Sequence, residues 1–132
     1  MNRQCRCGSV NMPQPAEHIA QAEKNERLYD NLIGTEFNDW AVVGLFYAAL
    51  HYVDAYFVQR FGASPSNHNA RNRLVSMTIE LAAIRTRYRE LYARSLDARY
   101  EIVAMSEDEV RQERTAHFVP VRTHIRALLS LT

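Results

Sequence analysis

The chain has 132 residues, with 16 Lys and Arg against 15 Asp and Glu and a formal net charge of +1. This length suits a single domain with one core and is too short for two. The near-neutral balance lacks the strongly basic character of dedicated nucleic-acid-binding proteins, and no apolar stretch follows the N-terminal basic residues as a secretory signal would require. We therefore expect a cytoplasmic protein that does not interact with a membrane.

Residues 1–14 show no apolar periodicity and are expected to form a flexible, disordered tail before one helical domain over residues 15–132. Cys5 and Cys7 are the only cysteines. A Cys-x-Cys pair could supply half of a zinc site, but structural zinc needs four ligands and no second pair follows at the usual spacing. We expect reduced thiols there, no metal site and no cofactor.

The first two helices are predicted from their end signals and their apolar spacing. Pro15 is a favourable first-turn residue, and the helix that it opens is expected to run to Ile33, where Gly34 ends it. The second helix is predicted over residues 38–61, with Asn38 or Asp39 accepting its free first-turn N–H groups.

The second half of the chain is also predicted to be helical. Ser66 or Asn67 should cap a helical segment that continues to about residue 103, in one piece or with a break near residues 76–79. Ser106 and Glu109 form a capping box that starts the last helix. Pro120 removes a backbone donor and should kink or split that helix. The sequence thus predicts an all-α fold, a bundle of four or five helices.

The second helix should be the centre of this bundle because apolar or aromatic residues cover most of its circumference. One stripe consists of Val43, Phe46, Leu50, Val53 and Phe57. A second stripe lies beside it and consists of Trp40, Tyr47, His51 and Asp54. A buried polar group without a partner costs a few kcal/mol, so His51 and Asp54 should meet polar side chains from other helices.

These partners are expected to form one polar and aromatic layer with the second stripe. We expect Asp54 to pair with Arg99, tyrosine hydroxyls to bond His51, and His68 to contact Arg71. The layer has two interpretations, a satisfied structural network or a phosphate- or nucleotide-binding pocket that could act as a metal-independent RNase through its histidines. Its predicted members are His51, Asp54, His68, Arg71, Tyr88, Tyr92, Ser95, Arg99 and Tyr100.

Charge is unevenly distributed along the chain. Residues 17–54 contain seven acidic side chains against Lys24 and Arg27, whereas residues 60–99 contain eight arginines against three acidic side chains. The basic middle is interpreted either as a solvated surface paired with the acidic first helix or as a nucleic-acid footprint.

Three motifs, in this order, resemble the HEPN superfamily over roughly residues 38–101. They are the run from Tyr47 to His51, the helix start with His68 and Arg71, and the run from Tyr88 to Tyr100. The resemblance implies a small helical bundle, usually dimeric, that acts as an RNase or an RNA-associated module in toxin–antitoxin and phage-defence systems. It also implies possible partners, namely RNA or a nucleotide, a second copy of the chain, and a cognate antitoxin or nucleotidyltransferase-like protein.

Active HEPN RNases resemble one another in an arginine followed by a histidine after four to six residues. Arg111 and His117 fit this count, with Gln112 in place of the usual small polar residue. On a straight helix these two residues lie about 240° apart, whereas Arg114 and His117 share a face. Arg111, Arg114 and His117 are therefore the candidate catalytic residues of a metal-independent endoribonuclease, with a non-catalytic RNA-binding, dimerisation or partner-binding module as the alternative.

Overall fold

The structure, a computed structural model, describes residues 12–130, so Cys5, Cys7 and most of the predicted tail lie outside the described residues. Within that range the chain is helical and has no β-strand, which confirms the predicted all-α bundle. The elements in chain order are α1 Pro15–Leu32, α2 Asn38–Phe61, α3 His68–Met77, a 3-10 segment Ile79–Ile84, α4 Arg85–Tyr100, α5 Glu107–Glu113, a π-helical segment Arg114–Phe118 and α6 Val119–Leu128.

Helix α2 is the central element, as its sequence predicts. Sixteen of its 24 residues are buried, and α1, α4, α5 and α6 all pack on it. Its length and apolar composition would also suit a membrane span, but 89% of its apolar window is buried inside the bundle. This burial is compatible with the core helix of a soluble protein.

Helices α1 and α2 are antiparallel and approach each other closely at Gly44. A Cβ atom at Gly44 would lie 3.3 Å from the carbonyl oxygen of Asn25 and 3.5 Å from Cδ2 of Leu28. Because glycine has no side chain, the two helices can approach closely there. This close approach sets the distance between the side chains of α1 and the second stripe of α2.

Several predicted helix ends are confirmed, and one is wrong. The side chain of Asn67 accepts the N–H of Ala70 at 2.8 Å and caps α3, and the Ser106 and Glu109 capping box opens α5. The start of α2, by contrast, has no side-chain cap. Asn38 Oδ1 instead accepts the N–H of Gly34 at 2.8 Å, so this side chain stabilises the link from α1.

The predicted break near residues 76–79 is confirmed, since α3 ends at Met77 and the 3-10 segment follows. The last helix is interrupted as well, because the π-helical segment Arg114–Phe118 separates α5 from α6 just before Pro120. Because Pro120 has no N–H, the carbonyl of Ala116 lacks its usual helical donor. Arg87 Nη1 donates to that carbonyl at 2.6 Å, which connects α4 to the π-helical segment.

Candidate functional site

Asp54 is paired with Arg71, so the predicted pairing of Asp54 with Arg99 is wrong. Arg71 Nε donates to Asp54 Oδ1 at 2.8 Å and Nη2 donates to Oδ2 at 3.0 Å. Nη2 also donates to the Pro65 carbonyl at 2.9 Å. Both charged residues are buried. Burial raises the pKa of Asp54, and the hydrogen bonds from Arg71 oppose that rise. The pair joins α3 and its preceding loop to α2.

Arg99 lies near the surface instead and contacts aromatic rings. Its guanidinium is 5.6 Å from the centre of the Tyr47 ring and 5.3 Å from that of Tyr100. It donates to the Tyr47 hydroxyl at 3.2 Å, to the Ser95 carbonyl at 3.2 Å and to Ser95 Oγ at 3.1 Å. An arginine has five N–H donors, so two remain without a partner in residues 12–130. Arg99 can therefore contact an anion.

His51 is bonded to His18 of α1, so the expected tyrosine partner of His51 is wrong. The two Nδ1 atoms are 3.0 Å apart and the ring centres are 5.2 Å apart. Burial lowers the pKa of both imidazoles, that of His51 to about 4. His18 is a member of the site that the sequence analysis missed.

His68 packs among aromatic rings and makes no hydrogen bond to Arg71, contrary to expectation. Its ring centre is 5.7 Å from that of Phe46, 6.1 Å from that of Tyr47 and 5.5 Å from that of Tyr92. Burial lowers the pKa of His68, and its Nδ1 is buried without a hydrogen-bond partner in residues 12–130. This part of the layer is apolar packing.

Tyr88 occupies the buried end of the layer. The side chain is 0% exposed, and its hydroxyl has no hydrogen-bond partner among the described residues. Burial raises the pKa of Tyr88, so the phenol is neutral. We assign Tyr88 to the core rather than to a ligand-contacting surface.

A groove of about 470 Å³ lies between α1 and α2. Trp40 and Leu28 at its rim are 49% and 43% exposed, and His51, which is largely buried, also lines it. Arg99 adjoins the groove because it contacts Tyr47. The lining residues are Gln21, Asn25, Leu28, Leu32, Trp40, Val43, Gly44, Tyr47 and His51.

Two acidic side chains of α1, Glu23 and Glu26, pair with the last helix. No ion pair in the described part of the chain joins α1 to residues 60–99, so the predicted pairing of α1 with the basic middle is wrong. Arg122 of α6 contacts Glu26 at 2.6 Å, and Arg126 lies 3.7 Å from Glu23. Six of the eight arginines of residues 60–99 have hydrogen-bond or ion-pair partners, and Arg85 donates to two carbonyls at the end of α3. The basic middle is therefore not a continuous free cationic surface.

The three candidate catalytic residues on the last helix each have different surroundings. Arg111 is bonded to Glu107 at 2.7 Å, and the guanidinium of Arg114 lies 5.7 Å from the ring centre of Tyr29. His117 lies in the π-helical segment, and its Nδ1 is buried without a partner in the described part of the chain. No hydrogen bond or ion pair within residues 12–130 joins either arginine to His117. Convergence across two protomers stays a prediction.

The structure thus places Trp40, Tyr47 and His51 along the groove, with His18 bonded to His51 and Arg99 beside Tyr47. Asp54, Arg71 and Tyr88 are buried and do not line it. The sequence gives a weak indication that His18 is buried, since it shares a helical face with Ala22 and Tyr29, the other buried residues of α1. The groove offers aromatic faces, free guanidinium donors and a neutral imidazole. These groups suit a ligand with both flat rings and anionic oxygens.

Comparison with known proteins adds no family assignment. A search of protein-family models and a search of curated proteins both find no match to this chain. The likeness to HEPN domains therefore stays a prediction from the motifs of α2, α3 and α4.

Proposed function

We propose that this protein is a HEPN-like cytoplasmic domain with an RNA-related role, and that single-stranded RNA binds in the groove between α1 and α2. The observation that carries the proposal is the position of Trp40 and Tyr47 along one groove wall, with Arg99 beside Tyr47. RNA loops and single strands expose base faces and phosphates together, and this surface matches both.

Stacking supplies the first part of the interaction. A base stacked on an aromatic side chain contributes about 1–3 kcal/mol and does so for any sequence. Trp40 is half exposed at the rim, so its ring can contact a base without any rearrangement of the core. The amides of Gln21 and Asn25 on the opposite wall can bond base edges.

Phosphate binding supplies the second part. The two unpartnered N–H donors of Arg99 suit a phosphate oxygen, and its contacts with Tyr47 and Ser95 hold the guanidinium in place. Arg71 cannot serve this purpose because its side chain is buried against Asp54.

The fluorescence of Trp40 tests this proposal directly, because Trp40 is the single tryptophan of the chain. Titration with a single-stranded RNA oligonucleotide should change its emission, and the affinity should fall as salt rises because phosphate contacts release counterions. Replacing Tyr47 by Ala should weaken binding, whereas Arg89→Ala, on an exposed part of α4, should not. Unchanged Trp40 emission with a folded protein would overturn the proposal.

We further propose that the protein cleaves the bound RNA without a metal ion, as a toxin or defence effector would. An unprotonated His51 can accept a proton from a 2′-hydroxyl, while Arg99 holds the phosphate. Arg111, Arg114 and His117 form the competing catalytic set. Incubation with total tRNA in the presence of a chelator, for the wild type, His51→Gln and His117→Ala, separates these assignments. Intact RNA with the wild type would leave binding without catalysis.

A second candidate function is dimerisation or partner binding without catalysis. The observation in its favour is the apolar rim of the groove, where Leu28 and Trp40 are each more than 40% exposed. Such side chains are often covered in a complex. Light scattering of the purified protein, followed by the same measurement on Trp40→Ser, tests whether this rim joins two copies.

A further inference from the structure

We propose that the α4–α5 connection, residues 101–105, is a docking site for an extended basic peptide of another protein. The peptide pairs with the connection through main-chain hydrogen bonds, as an added β-strand does, and its lysine or arginine side chains contact carboxylates beside it. None of the residues that line the groove between α1 and α2 lines this site. The inference thus goes beyond the proposed RNA binding and does not depend on it.

The backbone of the α4–α5 connection is extended at both ends and unpaired between them. Glu101 has φ −118° and ψ 151°, and Ser106, which follows the connection, has φ −77° and ψ 159°. The backbone N–H and C=O groups of Ile102, Val103 and Ala104 make no hydrogen bond within residues 12–130. They are therefore free to pair with another chain, as the exposed edge of a sheet is.

The exposed side chains of this region are apolar and favour a strand. Ile102 is fully exposed, and Tyr100 and Val103 are 72% and 42% exposed. Aromatic and β-branched residues of this kind are enriched in strands, where they pack against side chains of the neighbouring strand. A connection that only meets water does not require them, whereas a docked strand would cover them.

Two cavities open beside the α4–α5 connection, and Val103, Ala104 and Met105 line both of them. The larger, about 410 Å³, is also lined by α2, α4 and α5. The smaller, about 330 Å³, is also lined by the start of α2 and the residues before it. A peptide that lies along the connection passes both cavities, and such cavities select the side chains of an added strand.

The charges of the two cavities favour a basic peptide. Arg94 is the only cationic side chain among the lining residues, and it is bonded to Asp97 at 2.7 Å and lies 3.6 Å from Glu113. The other charged side chains are carboxylates, which attract lysine and arginine and repel the phosphates of a nucleic acid. These carboxylates are Glu36, Asp39, Asp108, Glu109 and Glu113.

The larger cavity matches the shape of a long basic side chain. Val42 and Val110 on its wall are buried, whereas Asp108 and Glu109 are exposed. Lysine and arginine pack their methylene stems against apolar surface and keep the charged group in a polar environment. One such side chain can therefore contact the valines and the carboxylates at the same time.

A second copy of this chain is a poorer partner for the α4–α5 connection. Pairing two identical connections about a two-fold axis brings the same surface together from both copies. The only charged residue of the connection is Glu101, so neither copy would supply a cation from this segment to the carboxylates of the other. Like charges opposed in this way disfavour the complex, so we assign the site to a different chain.

The main-chain pairing is tested by NMR titration of the full chain with a capped five-residue peptide that alternates lysine and valine. The amide signals of residues 102–104 should shift. N-methylation of the valines blocks one edge of an extended peptide, and N-methylation of the lysines blocks the other. One of these two peptides should bind about fivefold more weakly than the unmodified one, the effect of one net hydrogen bond, and the other should not. Equal effects of both, or no shift at residues 102–104, would overturn the pairing.

The charge preference is tested with a matched pair of variants and a peptide of opposite charge. Asp108→Asn should weaken binding of the lysine peptide about two- to fivefold, whereas Glu23→Gln, about 14 Å along α1 from its end at Leu32, should not. A peptide that alternates glutamate and valine should not bind. Equal binding of the two peptides would overturn the assignment of a basic partner. Shifts at residues 102–104 that depend on protein concentration alone would show self-pairing and overturn the assignment to a different chain. The RNA titration read at Trp40 is separate from all of these outcomes.

Discussion

Arg71 donates two parallel hydrogen bonds to Asp54, at 2.8 and 3.0 Å, and the two side chains are only 8% and 4% exposed. This pair joins α3 to α2 across residues that are 17 positions apart. Removing one partner of a buried ion pair leaves the other charge without compensation. Replacing either side chain alone should therefore weaken the connection between the two helices.

Replacing Arg71 by Leu should lower the free energy of unfolding by about 3–5 kcal/mol, because the carboxylate of Asp54 would remain buried and unpaired. Urea denaturation followed by circular dichroism measures this. The neighbouring Arg73→Leu, at an exposed position of α3, should change stability by less than about 0.5 kcal/mol. The double variant Asp54→Leu with Arg71→Leu should be more stable than Arg71→Leu alone, and a further loss would contradict the unpaired-charge explanation.

The free energy of unfolding should fall as the pH decreases through the range in which His51 is neutral in the folded protein and protonated in the unfolded chain. His51 has an ordinary pKa of 6.5 and a pKa lowered by burial to about 4 in the folded protein. Between these values the unfolded chain binds a proton that the folded chain does not. The contribution is thus fully present above pH 6.5 and is lost as the pH falls toward 4.

Urea melts across that pH range measure the slope, and His51→Gln provides the comparison because glutamine does not titrate. The variant should lose less stability than the wild type between the two ends of the range. The pKa of His18 is also lowered by burial, so His18 contributes to the pH dependence in the same direction. Part of the slope should therefore remain in His51→Gln. Equal slopes for both proteins would show that His51 is not held neutral.

Arg87 should matter for stability only because residue 120 is proline. It donates to the Ala116 carbonyl, whose usual helical donor is missing. Arg87→Ala should cost about 1 kcal/mol in the wild-type protein and less in a Pro120→Ala background, where an N–H is restored. The four proteins form a double-mutant cycle. Identical costs in both backgrounds would mean that the two features are independent.

The salt dependence of RNA binding should identify Arg99 as a phosphate contact. Arg99→Gln should lower affinity and reduce the slope of log affinity against log salt by about 0.7, the effect of one phosphate contact on a single strand. Arg89→Gln removes the same charge about 15 Å away along α4 and should leave the slope nearly unchanged. Equal effects of both variants would indicate a diffuse charge effect rather than a contact in the groove.

Much of the fold could be predicted because its signals are local. The apolar circumference of α2, the Asn67 cap, the Ser106 and Glu109 box and the break before Ile79 each depend on residues close together in sequence. The missing cap of α2 is the exception, since Asn38 bonds back to Gly34 in the preceding link.

The partners within the site could not be predicted in the same way. Periodicity placed both Arg71 and Arg99 near α2, but it does not tell which one reaches Asp54. That choice depends on how the loop after α2 returns α3 to the core, where Pro65 also accepts a bond from Arg71. His18 was missed because a single histidine on a highly charged helix resembles a surface residue until the helix is packed.

Helix α1 covers one side of the core and also carries His18, the side chain that bonds the groove histidine. Fraying or removal of this first helix would therefore alter the chemistry at His51 without changing any residue of α2. Shortened versions of the chain that lack this helix should lose both part of the hydrophobic interior and the candidate site, so the integrity of the N-terminal helix and the state of the groove should be monitored together.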